Sequence, residues 1–215
     1  MKLLLNLFNE NDPRVKDISP DAVLHIGDIL IVSGVSTYNE PQSGADDYLK
    51  SFDSVKDIYL EAIVNTENGG DLAYVDYVAK NQQLIGISKV EITNEEDIEK
   101  ARKVIRKYNS VSFTTINAEA GIRGSAFCIM PKNLKKIYDI YQAPFYIVMN
   151  GPDAIFTIKS GIVEDEVAEL ANLSDIVKES VLRVYDGKPH DILSWVIYKY
   201  NKESGFIDPM YEVEH

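Results

Sequence analysis

Few residues of this chain are of the types that perform covalent chemistry. The sequence contains one cysteine, Cys128, and three histidines, His25, His190 and His215. A cysteine nucleophile needs an exposed thiolate beside a base, whereas Cys128 lies in the apolar run 126–130, where a thiol is typically buried and inert. These four side chains are also too dispersed along the chain for zinc binding. We therefore expect neither cysteine catalysis nor a zinc site.

Carboxylates remain as candidates for acid–base chemistry or for binding a divalent cation. They cluster at Asp46 and Asp47, at Asp71 and Asp76, and at 164–166. The first and last clusters stand at predicted helix starts, where acids complement the helix dipole. Residues five apart on a strand, such as Asp71 and Asp76, face opposite sides. We therefore expect no cofactor and no metal, and a carboxylate-based, metal-assisted hydrolase is the alternative function.

Tyrosine is the one residue type in excess, with 13 tyrosines against 7 phenylalanines and 1 tryptophan. Tyr138 and Tyr141 would share a helix face, and Tyr198 and Tyr200 a strand face. Tyrosines in such stripes usually pack at the edge of a core, with the hydroxyl at the surface, and this is the favoured interpretation. The alternative is an interaction surface formed by Tyr138, Tyr141, Tyr198 and Tyr200 together with Asp46 and Asp47.

The charge of the chain restricts its partners. The net charge is -12, which excludes general nucleic-acid binding because that depends on basic residues. Residues 1–92 carry -8, residues 93–144 carry +3 and residues 145–215 carry -7. We therefore expect a protein partner with a basic surface, contacting segments before residue 93 or after residue 144. The basic middle segment is expected to be a solvated helix face.

The location of the protein follows from its cysteine usage and its apolar runs. A single cysteine cannot form an internal disulfide, which is typical of a reducing compartment. The first residues lack a signal-peptide cleavage site, and no apolar run approaches the roughly 20 residues that span a bilayer. The sequence therefore predicts a cytoplasmic protein that does not act at a membrane.

Hydrophobic periodicity predicts four helices, at 46–64, 94–109, 132–142 and 164–180. The second begins with the capping-box pattern Thr93–Glu96. Strands are predicted at 25–35 and 193–200, and hairpins at 72–92 and 145–159. The segment Gly121–Ser125 is predicted to precede an apolar strand, so it lacks the helix N-terminus of a phosphate loop.

Strand pairs separated by helices predict an α+β fold, with mostly antiparallel sheet hairpins packed against amphipathic helices. The length suits a single α+β domain over 1–215, and a division into two subdomains, 1–117 and 118–215, is the alternative.

The C-terminal part resembles a known family. Ile176–Glu179 is followed by Leu193–Tyr200 and then by Gly205, an order similar to the end of the YtpQ-like family of uncharacterised bacterial proteins. The resemblance covers about 72–208 and includes Gly124–Ala126, although 150–153 departs from the family pattern. It implies a bacterial cytoplasmic α+β protein and assigns no substrate. With no catalytic set recognised, we expect a non-enzymatic protein-binding module, such as an inhibitor or antidote that covers a basic surface.

Overall fold

The computed structural model describes residues 2–15, 23–36, 51–80, 83–184 and 192–214. These residues form five α-helices, one short 3-10 helix and two antiparallel sheets. The predicted α+β fold class is confirmed. In the part of the chain that is described, no helix is both long enough and apolar enough to cross a bilayer.

The smaller sheet has the strand order β1-β3-β2, and the larger one has the order β10-β9-β7-β8-β6-β4-β5. The strands are β1 Lys2–Asn9, β2 Val23–Ile26, β3 Ile29–Ser36, β4 Asp71–Lys80, β5 Gln83–Glu91, β6 Ser110–Ile116, β7 Phe145–Gly151, β8 Ala154–Lys159, β9 Val196–Asn201 and β10 Phe206–Glu212. The helices are α1 Val55–Asn68, α2 Glu95–Tyr108, α3 Gly124–Cys128, α4 Pro131–Tyr141 and α5 Glu166–Val184, and the 3-10 helix is Pro13–Val15.

Two predicted helices match the structure closely because their ends carry strong local signals. At α2 the N-cap is Asn94 and not Thr93, the first residue of the predicted capping box, and the Asn94 side chain accepts hydrogen bonds from the backbone N–H groups of Glu96 and Asp97. Helix α4 begins with Pro131 and ends before Gln142, which has positive φ. The predicted helix over 46–64 instead begins at Val55, after the N-cap Ser54, and ends at Asn68. Its predicted first turn lies outside the described residues.

Three sequence predictions about strands are wrong. Residues 126–130 are not a strand, because Gly124–Cys128 forms a short buried helix. Residues 25–35 are not one strand, because Gly27 and Asp28 turn the chain between β2 and β3. The strand predicted from residue 193 begins only at Val196. Both predicted hairpins are present, as β4–β5 and β7–β8.

A continuous hydrophobic core connects the two sheets. One buried cluster joins Leu3 and Ile31 of the smaller sheet to Phe113 and Tyr198 of the larger one, beneath α1 to α4. A second cluster, containing Tyr146 and residues of α5, lies on the opposite face of the larger sheet. Because β6 pairs with β8, the larger sheet is continuous across residue 117.

Helix α1 protects the outer edge of β1. The Thr66 hydroxyl accepts a hydrogen bond from the Leu5 N–H at 2.8 Å, and the Asn65 side-chain amide donates to the Leu3 carbonyl at 3.1 Å. The Thr66 side chain is fully buried. These two side chains therefore provide partners that a neighbouring strand would otherwise supply.

Candidate functional site

A two-residue turn brings a carboxylate of the smaller sheet against the C-terminal segment. Ile26 pairs with Ile29, leaving Gly27 and Asp28 as the turn residues. Gly27 has φ of 59°, the positive value that a first turn residue adopts in a type II′ hairpin. A Cβ atom at Gly27 would lie 2.8 Å from the Tyr198 hydroxyl oxygen. Glycine is therefore required here by both conformation and space.

Four uncharged donors surround the Asp28 carboxylate. Oδ1 accepts from the Ser194 hydroxyl at 2.5 Å and from the Tyr198 hydroxyl at 2.9 Å. Oδ2 accepts from the Trp195 backbone N–H at 2.7 Å and from the Asn9 side-chain amide at 3.1 Å. We call Asp28, Asn9, Ser194, Trp195 and Tyr198 the Asp28 network. It joins the smaller sheet to the segment that leads into β9.

The Tyr198 hydroxyl acts as a donor in this network. Burial raises the pKa of the Tyr198 hydroxyl, and the negative charge of Asp28 raises that pKa further. The hydroxyl also lies 3.0 Å from the Ile26 carbonyl oxygen. Because a carboxylate has about four lone-pair sites, the four donors occupy the hydrogen-bonding capacity of Asp28. The network therefore suits a structural role for this carboxylate.

A cleft of about 390 Å³ opens beside the network. We call it the acidic cleft. It lies between Glu10, which follows β1, the β2–β3 turn and the C-terminal strands β9 and β10, and none of the lining residues that the structure describes is basic. The acidic lining residues are Glu10, Asp28 and Glu212, and the others are Gly27, Val196, Pro209, Met210 and Tyr211. Glu10 and Glu212 are exposed, so their charges face solvent.

The arrangement favours binding a cation that carries an apolar stem. Pro209 and Met210 offer apolar surface, and the carboxylates that line the same cleft offer negative charge. Lysine and arginine side chains combine these properties, because their methylene stems pack on apolar surface while the charged head stays near water. Within the described residues, no group of three potential metal ligands comes together.

A buried carboxylate, that of Glu169, stabilises the loop before α5. Glu169 accepts hydrogen bonds from the backbone N–H groups of Gly161 at 3.1 Å and Ile162 at 2.7 Å, and from the Tyr146 hydroxyl at 2.9 Å. Burial opposes ionisation of Glu169, but these hydrogen bonds lower its pKa below the ordinary value. Burial likewise raises the pKa of Tyr146 to about 12. The Glu169 carboxylate therefore stabilises the conformation of the loop that precedes α5.

The structure places the predicted tyrosines mainly in the core. Tyr141, Tyr198 and Tyr200 are buried, so they do not offer a surface to a partner, and Tyr138 is only partly exposed. The Tyr138 and Tyr200 rings lie 5.4 Å apart, and Tyr200 stacks on Phe145. The favoured interpretation, packing at the core edge with the hydroxyl at the surface, fits the partly exposed Tyr138, whereas the hydroxyls of Tyr141 and Tyr198 are buried and hydrogen-bonded inside the protein. Asp46 and Asp47 lie outside the described residues.

The other chemical candidates remain apart from one another. Cys128 is fully buried, and burial raises the pKa of its thiol, which keeps it protonated. Asp165 caps the start of α5 by accepting from the Val167 N–H, as its position predicts. Asp71 accepts from the Asn117 side chain. The segment Gly121–Ser125 leads into helix α3, which begins at Gly124, and not into the predicted strand; this helix has only five residues, all buried, and the Ser125 hydroxyl donates to the Gly151 carbonyl.

Sequence reasoning missed the Asp28 network. Its signal was the Gly27–Asp28 pair inside an apolar run, which marks a tight turn between two strands. The partner Ser194 lies in Leu193–Tyr200, one of the segments on which the family resemblance rests. Neither signal indicates that residues more than 160 positions apart meet.

No protein family, curated protein or solved structure matches the chain.

Proposed function

We propose that the protein is a non-enzymatic cytoplasmic binding protein for a protein partner with a basic surface, in the manner of an inhibitor or antidote. The observation that carries this proposal is the acidic cleft, where Glu10 and Glu212 flank an apolar wall. The net charge of -12 adds long-range attraction for a basic partner and would speed association at low salt.

Many basic side chains of the middle segment, residues 93–144, form ion pairs with acidic side chains close by. On α2, Lys100 lies 3.0 Å from Glu96, and Arg102 lies 2.9 Å from Glu95. Arg102 also donates to the carbonyls of Asp139 and Ile140 at the end of α4. These basic side chains therefore pair with acids of the same helix and with the C-terminal end of α4. They do not neutralise the carboxylates of the acidic cleft, which stay available to a basic partner.

The engagement of Asp28 supports binding over the alternative, a carboxylate-based hydrolase. Hydrolysis of that kind needs a carboxylate free to take up a proton or to hold a cation. Asp28 instead accepts hydrogen bonds from four donors. The exposed carboxylates of Glu10 and Glu212 suit ion pairing with a partner's side chains.

The test compares two double variants that remove the same charge. Glu10→Gln with Glu212→Gln neutralises the cleft, and Glu164→Gln with Glu203→Gln neutralises two exposed acids elsewhere. Binding of an oligoarginine peptide is measured by fluorescence anisotropy at low and at high salt. We expect the cleft variant to bind about tenfold more weakly or worse, and the control variant to change by less than about threefold.

Two results would contradict the proposal. Absence of oligoarginine binding at low salt would contradict the proposed binding of basic partners. Equal weakening in the two double variants would mean that total charge, rather than the acidic cleft, determines the affinity.

A further inference from the structure

The edges of the larger sheet differ in their protection against pairing with another strand. The outer strand β10 contains Pro209, and its register with β9 shifts between Pro209 and Tyr211. Proline and a bulge both hinder the addition of a further strand. The opposite outer strand, β5, lacks proline and pairs, among the described strands, with β4 alone.

The backbone of β5 presents alternate residues to its open side. The Ile92 N–H donates to the Leu72 carbonyl at 2.9 Å, so Ile92 points toward β4. In an antiparallel ladder this direction alternates, so Val90 and Ser88 also point toward β4. The N–H and C=O groups of Ile87, Lys89 and Glu91 therefore point outward, away from β4.

The outward groups lie on a stretch that pairs regularly with β4 and is at least partly exposed throughout. The register with β4 shifts between Val78 and Ala79, opposite residues 84–86, so the regular part of β5 begins after that bulge. Ile87 has 61% of its surface exposed, and Ser88 and Lys89 are exposed as well. We call this stretch, residues 87–91, the β5 edge.

We propose that the β5 edge pairs with the β5 edge of a second copy of this chain, antiparallel and with the two-fold axis at Val90. In that register Lys89 stands opposite Glu91 of the second copy, and Glu91 opposite Lys89 of the second copy. Both pairs are of the hydrogen-bonded kind, which uses the outward backbone groups. The larger sheets of the two copies then form one continuous sheet.

The charges of Lys89 and Glu91 favour the register with the axis at Val90 over registers with the axis at a neighbouring residue. An axis at Lys89 would place two lysines directly opposite each other, and an axis at Glu91 would do the same with two glutamates. Like charges facing each other across a strand pair are unfavourable, and opposite charges are favourable. An axis at Ile87 or at Ser88 would place part of the stretch 87–91 opposite the bulge at 84–86 of the second copy. Among the axes within 87–91, only the one at Val90 avoids both the bulge and like charges while using the outward backbone groups.

The first experiment reverses and then exchanges the two charges. Sedimentation equilibrium of the full chain measures the dimer dissociation constant. Lys89→Glu and Glu91→Lys should each weaken the dimer about tenfold or more, because each places like charges opposite each other twice. The double variant Lys89→Glu with Glu91→Lys should restore it. Circular dichroism and thermal unfolding confirm that each variant keeps the fold.

The second experiment tests the register by cross-linking. Val90 would face Val90 of the second copy in a non-hydrogen-bonded pair, with Cα atoms about 4.5 Å apart, a distance that suits a disulfide. Val90→Cys should therefore give a covalent dimer under mild oxidation. The matched control is Ser88→Cys, which is more exposed but would face Ile92 of the second copy, and should cross-link far less.

A wild-type chain that stays monomeric at every concentration would overturn the proposal. So would an exchanged double variant that dimerises no better than the single variants, or cross-linking of Ser88→Cys ahead of Val90→Cys. None of these results depends on the acidic cleft, so the proposed function is tested separately.

Discussion

At the residue scale, Asp28 shows how one polar side chain fixes the meeting of distant segments. Its two oxygen atoms receive donors from β1, from the segment before β9 and from β9 itself. Hydrogen bonds to a charged acceptor are stronger than those between neutral groups, and each buried donor would otherwise lose its water partner. The position of the β2–β3 turn is therefore specified chemically as well as by apolar packing.

The first prediction concerns the charge of Asp28. Asp28→Asn replaces a carboxylate oxygen by an amide donor, which then faces donors, so we expect a loss of about 2–4 kcal/mol in the free energy of unfolding. Urea denaturation measures this loss. Asp208→Asn is the matched control, since Asp208 is exposed and accepts from Asn201, and should cost less than about 1 kcal/mol. Equal losses would mean that Asp28 contributes only as a surface charge.

The second prediction concerns Gly27. Gly27→Ala must adopt φ of 59° and brings a methyl group to 2.8 Å from the Tyr198 hydroxyl oxygen. We expect a destabilisation of about 2–3 kcal/mol, from backbone strain and from steric repulsion. Adding Tyr198→Phe removes that oxygen, so the double variant should lose less than the sum of the single losses. A double-mutant cycle measures the difference, and strict additivity would contradict the contact.

At the element scale, elements with strong local signals could be predicted and elements defined by tertiary contacts could not. Helices α2 and α4 have caps and clear apolar stripes, and the β7–β8 hairpin has turn residues. Helix α3 is buried on every side, so it lacks the periodicity that separates helix from strand. Strand β6 was missed because Ser112, Thr114 and Thr115 are polar, yet the sheet buries them. The Asp28 site required the same long-range information.

The third prediction concerns the edge of β1. Thr66→Val keeps the shape of the side chain but leaves the Leu5 N–H without its acceptor, in a buried position. We expect a loss of about 1–3 kcal/mol in the free energy of unfolding. Relative to the wild type, the variant should show faster hydrogen exchange at the Leu5 amide. The amides of β7, in the centre of the larger sheet, should be accelerated less. Unchanged protection of Leu5 would mean that the Thr66 hydroxyl is dispensable.

The fourth prediction is a pH dependence carried by the loop before α5. The pKa of Glu169 is lowered in the folded chain, so its ionised form stabilises the fold above the ordinary glutamate pKa. That contribution is lost as the pH falls through the lowered pKa. Glu169→Gln should therefore cost about 1–3 kcal/mol near neutral pH and progressively less in acid. The free energy of unfolding is measured against pH, and a constant difference would contradict this role.

Glu164→Gln serves as the control for this measurement. Glu164 belongs to the same loop but is exposed. Its variant should follow the wild-type pH profile, which separates the hydrogen bonds of Glu169 from a general effect of removing one negative charge.

At the scale of the whole molecule, the two sheets are expected to unfold together. The core cluster contains side chains of both sheets, and β6 and β8 pair across residue 117. The Asp28 network adds a polar connection between the smaller sheet and the C-terminal segment. A division into subdomains 1–117 and 118–215 would separate strands that share a ladder of hydrogen bonds, so a single cooperative transition is the physical expectation.

The fifth prediction follows from that continuity. The only tryptophan, Trp195, donates its backbone N–H to Asp28, so its fluorescence reports on the junction, whereas far-ultraviolet circular dichroism reports on all helices and strands. The two urea unfolding curves should coincide in the wild type and, shifted to lower urea, in Asp28→Asn. If fluorescence changed before circular dichroism, the smaller sheet and the C-terminal segment would separate while the larger sheet stayed folded. The Asp28 network would then stabilise only the contact between the smaller sheet and the C-terminal segment, and it would not belong to the unit that unfolds cooperatively with the larger sheet.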